Sequence, residues 1–196
     1  MIRAGFVIEN PMTKSRTMVV ESDRETEGRG WLLEVTCIPN ARPDIAEHVH
    51  LTWTETFEIL KGTAHYSVNG IQRMAQAGDT FTVLPGQLHV HPWNAGDSEL
   101  VYRQRNEFGR STPEAVQDVL GVFATIAGLA REGRVDKRGL PKNPLQLAAT
   151  IRTLSKHGGY DASIPMGVQK LVAGTLGRLA EGLGYQGVYP QYVQPK

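Results

Sequence analysis

The chain changes its period once. Up to about residue 108, apolar and polar positions alternate in short runs broken by Gly, Pro, Asn or Asp. Alternation with a period of two marks strands that bury one face. The runs are RTMVVES (16–22), GWLLEVTCI (30–38), EHVHLTW (47–53), ETFEILKG (55–62), AHYSVNG (64–70), IQRMAQAGDTFTVLPG (71–86), LHVHPWN (88–94) and SELVYRQR (98–105). Asn69-Gly70 tolerates positive φ angles and predicts a tight type I′ hairpin. Many short strands at regular spacing predict a sandwich or a barrel.

Past residue 108 the apolar positions recur at helical spacing. Ser111-Thr112-Pro113-Glu114 reads as a helix start, and Val116, Val119, Leu120, Phe123, Ile126 and Leu129 form the stripe, ended by Gly133. A second helix over 143–159 closes at Gly158-Gly159. Residues 163–185 read as a third, with Pro165 near its start and Val168, Leu171, Val172, Leu176, Leu179 and Leu183 as its stripe. Three amphipathic helices must bury these stripes on the barrel, on each other or on a second subunit. Packing is expected of them rather than a lid over the barrel mouth. The polar, basic linker GRVDKRGLPKN (133–143) is expected to be a solvated loop. The expected organisation is a β-barrel over 1–108 and a helical extension over 109–196.

Charge supports two layers and excludes one class of partner. Residues 1–108 carry 10 Lys/Arg and 14 Asp/Glu, residues 109–196 carry 11 and 6, and the whole chain is at +1. No basic field points to nucleic acid, and no helix-turn-helix pattern appears. No apolar run is long enough to span a membrane. The N-terminal stretch has no apolar core followed by a cleavage site, so a cytoplasmic protein is expected. The one cysteine, Cys37, lies in an apolar run and reads as a small buried hydrophobe.

Chemistry concentrates in the histidines, five of which (48, 50, 65, 89 and 91) fall before residue 108. On a strand, residues i and i+2 share a face, so His48 and His50 point the same way, as do His89 and His91, with Trp93 in line. Glu55 shares a face with Phe57 and Ile59. An inward carboxylate among apolar neighbours is costly unless paired or bound to a cation, whereas Glu58 points outward. His65 is expected outside if Tyr66 looks in. His157, at a helix end before Gly-Gly, reads as a cation favoured by the helix dipole.

The spacing His48-x-His50, four residues, Glu55, six residues, Gly62 resembles the first motif of the cupin superfamily. Gly78-Asp79 followed by Gly86-x-x-His89 resembles the second, and together they cover roughly residues 30–105. The resemblance implies a mainly β fold, a double-stranded β-helix (jelly-roll) barrel, here with a C-terminal α-helical extension of about three helices. It also implies metal ligands at His48, His50, Glu55 and His89. The chain departs from the pattern at three places. Arg42 stands where a glycine is expected, Leu84 occupies the proline position with Pro85 one later, and Asn94 lies four residues past His89 instead of three. The last departure leaves room for His91 as the fourth ligand.

Such a donor set suits a divalent transition metal (Fe, Mn, Ni, Co, Cu or Zn) and does not select among them. Phe57, Tyr66, Phe81, Trp93 and Tyr102 are expected to line the substrate pocket, which favours an apolar or aromatic oxygenated small molecule. The leading expectation is a dioxygenase-like enzyme with Glu55 as ligand and base; in an isomerase-type alternative His91 is the proton-transfer group. A metal-dependent isomerase, lyase or cyclase and a non-catalytic small-molecule-binding cupin are the rivals. A homodimer is the expected assembly.

Overall fold

In the computed structural model, which describes residues 1–43 and 45–194, strands dominate up to residue 108 and helices follow. Strands β1 (Val7–Asn10), β2 (Ser15–Glu21), β3 (Gly30–Cys37), β5 (Trp53–Lys61), β8 (Thr80–Val83) and β10 (Leu100–Phe108) form one sheet in the order β1-β2-β3-β10-β5-β8. Strands β4 (His48–His50), β6 (Thr63–Val68), β7 (Ile71–Gln76), β9 (His89–Asn94) and β11 (Gly159–Asp161) form the second, ordered β11-β4-β9-β6-β7. All pairings are antiparallel. The inner faces meet: Tyr66 of β6 stacks on Phe81 of β8 at 3.7 Å between ring centroids, and Phe57 of β5 lies 5.2 Å from His91 of β9.

The sequence runs map onto these strands, and Asn69 and Gly70 take positive φ angles of 52° and 75° at the β6–β7 hairpin. The long run over 71–86 is two strands, split at Ala77-Gly78-Asp79, with Gly78 at φ 96°. Two short strands escaped the pattern, β1 and β11. The second is only Gly-Tyr-Asp, yet it pairs with β4 in the register Gly159↔His50 and Asp161↔His48. The chain beyond the strands thus returns to hydrogen-bond beside the histidine pair.

Helix α1 (Pro113–Arg131) packs over β1 and β3, and α2 (Pro144–Lys156) packs on α1 and β11. Asn143 caps α2 by accepting from the backbone N–H of Leu145 and Gln146 at 2.9 and 3.2 Å. Buried Trp31, Phe57, Ala64 and Tyr66 of the strands and Val116 and Leu120 of α1 share one hydrophobic cluster. At the end of α2, His157 Nε2 sits 2.7 Å from Asp118 Oδ2 of α1.

The expected third helix is corrected in two respects. It is two helices, α3 (Met166–Gly174) and α4 (Leu176–Gly182), broken at Thr175. Its stripe is not buried: Leu171 is 65% exposed and Leu179 57%, while Ala173, Gly177 and Ala180 are buried. The reason is close approach. A Cβ on Gly177 would lie 3.1 Å from the Ala148 carbonyl oxygen of α2, so small residues bring α4 against α2 and the large ones are turned outward.

Candidate metal centre

Strand β4 offers His48 and His50, and β9 offers His89 and His91, with His48 and His89 direct cross-strand partners. Glu55 enters from β5 in the facing sheet and is 2% exposed. Its two carboxylate oxygens do different work. Oε1 accepts from Trp53 Nε1 at 3.2 Å, Gln104 Nε2 at 3.2 Å and Asn106 Nδ2. Oε2 faces the imidazoles: His89 Nε2 at 3.0 Å, His91 Nε2 at 3.1 Å and His50 Nε2 at 3.5 Å. Potential donor atoms of His48, Glu55, His89 and His91 all lie within 4.8 Å of one another, a group that could hold a metal ion.

The chemistry of this group fits a cation. His48 Nδ1 is 2.9 Å from the Ala46 carbonyl, and His89 Nδ1 is 2.9 Å from the Gln87 carbonyl. A carbonyl oxygen only accepts, so each Nδ1 carries the proton and each Nε2 presents a lone pair in the neutral ring. A lone pair facing a carboxylate oxygen repels unless a proton or cation lies between.

Burial pushes the Glu55 carboxyl upward, but the charge of His91 and the contacts with His50, His89 and His91 outweigh it. The carboxyl is held well below its ordinary range. Burial pushes His48 well below its ordinary value, and its neighbours His91 and His89 push the same way. Both shifts keep these donors in the deprotonated form a metal requires.

The group that could hold an ion differs at one position from the ligands expected from sequence. His91 joins His48, Glu55 and His89 in the mutual group, and His50 stands outside it. His50 is fully buried and stacks on Trp53, with ring centroids 4.4 Å apart and an angle of 15°. Among the described residues neither of its ring nitrogens makes a hydrogen bond. The choice between His89 and His91 does not arise, since β9 presents both.

The cavity beside the histidines is lined by residues other than the five aromatics expected at the substrate pocket. A cavity of about 220 Å³ opens beside His48 and Glu55, and Phe57, Tyr66, Phe81, Trp93 and Tyr102 are absent from its lining. Its apolar walls include Phe123 and Ile126 of α1 and Ile151 and Leu154 of α2, so the helices enclose the site as well as pack on the strands. Phe57, Phe81, Tyr66 and Tyr102 pack between the two sheets, with Phe57 and Phe81 stacked at 5.0 Å and the tilted rings of Phe57 and Tyr102 6.1 Å apart. Trp93 turns away because the β6–β9 register shifts between His65 and Ser67, opposite His91-Pro92. The extra residue reverses strand parity, so Asn94 is buried and Trp93 packs by His65, 5.6 Å between centroids.

Gln104 and Asn106 were not singled out from sequence, although a signal exists. In YRQRNEF (102–108) the charged residues 103, 105 and 107 alternate with Tyr102, Gln104, Asn106 and Phe108. Neutral amides on the inward face of a strand need a buried partner, and here it is Glu55.

The two facing antiparallel sheets, with two histidine pairs and one carboxylate between them, form the arrangement that the resemblance to the cupin superfamily implies. No protein-family model matches the chain, and no curated protein matches it. It is similar to a solved structure described as a predicted oxalate decarboxylase from Thermotoga maritima, at 19% identity over 48% of this chain and 80% of that one, with a TM-score of 0.45. A conserved Klebsiella pneumoniae protein with a double-stranded β-helix domain matches at 25% identity over 50% and 81% of the two chains, TM-score 0.43. An RmlC-like cupin from Shewanella frigidimarina matches at 15% over 53% and 84%, TM-score 0.42.

Proposed function

We propose that this chain is a metal-dependent enzyme acting on an apolar or aromatic oxygenated small molecule, with dioxygenase-like chemistry. The observation that carries the proposal is the division of labour at Glu55. Three N–H donors saturate Oε1, which leaves Oε2 to the imidazoles beside an apolar cavity. His48, Glu55, His89 and His91 would hold the ion, one of Fe, Mn, Ni, Co, Cu or Zn. When bound, such an ion supplies Lewis acidity and, where it is redox-active, a route for electrons to O₂.

The residues then divide as follows. Glu55, whose carboxyl is held well below its ordinary range, accepts protons poorly and serves as a ligand rather than a base. His91 sits among the donors, so the spare imidazole for proton transfer is His50, whose Nε2 lies 3.5 Å from Glu55 Oε2 outside that group. Apolar side chains of α1 and α2 keep water from the reacting atoms. The spare imidazole also favours a second reading, a metal-dependent isomerase, lyase or cyclase.

The test is oxygen uptake by the metal-reconstituted protein across a panel of oxygenated aromatic and aliphatic compounds. Substrate-dependent uptake that disappears in Glu55→Ala is the expected result. Conversion without oxygen uptake supports the second reading. Binding with no turnover of any compound overturns both and leaves a binding protein.

A further inference from the structure

The walls of the cavity are apolar, but its solvent-facing side is not. Arg42, Lys137 and Arg138 all line it and all are exposed, whereas Glu55 lies at its buried side. The loop before β4 and the linker between α1 and α2 meet here, with Arg42 Nη1 donating to the Lys137 carbonyl at 3.5 Å. The linker expected to be solvated is therefore part of the site.

Among the described residues no carboxylate lies within ion-pair distance of Arg42 or Lys137, and Arg138 only approaches its neighbour Asp136, at 4.0 Å. Among the described residues the carboxylates lining the cavity are those of Glu55 and Asp161. Glu55 is engaged with the histidines. Asp161 Oδ1 is occupied by the backbone N–H of Ser163 at 2.7 Å and by the Ser163 hydroxyl. Like charges brought together repel unless an anion joins them. A planar guanidinium matches the two oxygens of a carboxylate, and a lysine lining the same cavity adds a second cation.

We propose that the substrate is a compact apolar carboxylic acid whose carboxylate is read by Arg42 and Lys137 at the cavity mouth while its apolar body lies against α1 and α2. This rests on the reading of the cavity as the substrate site. A volume of about 220 Å³ suits a short aliphatic chain or a single ring rather than a larger molecule. Arg42 occupies a position where the resembled motif carries glycine, so this recognition is written into a departure from the pattern.

The experiment measures calorimetric binding of hexanoate and phenylacetate against hexanamide and phenylacetamide, on metal-free and metal-reconstituted full-length protein. The acids are expected to bind at least about tenfold more tightly than the amides in both forms. Arg42→Gln with Lys137→Gln is expected to bring the acids down to the amides' affinity while amide binding holds, which shows that the cavity is intact. Equal binding of acid and amide, no binding of either, or acid binding unchanged in the double variant overturns the proposal. Metal content of the same samples separates the two readings. Acid selectivity without metal uptake sinks the enzyme and keeps the acid site, whereas metal-dependent turnover without acid selectivity does the reverse.

Discussion

Glu55 carries a charge that folding removes from water, and the chain invests three neutral donors, Trp53, Gln104 and Asn106, in one of its oxygens. Donors of this kind hold a ligand's orientation and basicity, so replacing Gln104 or Asn106 by Leu should weaken metal binding by about 10–100-fold. Competition against a chelator checks this, with circular dichroism confirming the fold; unchanged affinity would show that the amides only fill space. The His48-x-His50…Glu55 spacing was legible because strand parity and loop length fix where such residues can meet. The two amides were legible in principle, from charged residues at 103, 105 and 107 leaving neutral polar ones to face inward. The position of His50 was not, because its stacking on Trp53 depends on packing that no local pattern encodes.

Elements behaved as their periods demand wherever one face is buried and nothing interrupts the strand. The eight runs, the Asn69-Gly70 hairpin and the first two helices follow directly from alternation, turn chemistry and capping. Two interruptions defeated the same logic. The bulge opposite His91-Pro92 reverses parity and sends Trp93 out, and small residues at 173, 177 and 180 outcompete the leucine stripe for the contact with α2. The bulge yields a paired prediction in the metal-free protein. Phe57→Ala should cost about 3–5 kcal/mol of stability, as a fully buried aromatic whose loss leaves a cavity. Trp93→Ala should cost about 1 kcal/mol or less, as a residue on the outer face. Urea denaturation of both variants measures the difference, and equal costs would place Trp93 back inside. The exposed Leu171 and Leu179 bear on the proposed homodimer: Leu171→Glu with Leu179→Glu should shift sedimentation from dimer to monomer if that face is the contact, and leave it unchanged if it is not.

In the whole molecule, the strands and α1 share one core, β11 hydrogen-bonds beside the histidine pair, and the helices wall the cavity. Among the described residues no helix is long and apolar enough to cross a membrane. The site also sets how the metal-free molecule responds to acid. The Glu55 pKa is lowered in the folded state, so its contribution is present above the unfolded value of about 4.3 and is lost as pH falls through that range. The His48 pKa is lowered too, so below about 6.5 the unfolded chain takes up a proton that the folded state resists. The two signs agree, and the melting temperature of the metal-free protein should fall steadily from pH 7 to pH 4. A flat profile would mean that these groups are not held deprotonated by the fold. The proposed enzyme depends on four converging side chains, His48, Glu55, His89 and His91, holding an ion, and elemental analysis of purified, reconstituted protein reads that most directly. The account predicts about one transition-metal ion per chain in the wild type and its loss in Glu55→Ala and His48→Ala; a wild type that carries no metal after reconstitution with each candidate ion would contradict it.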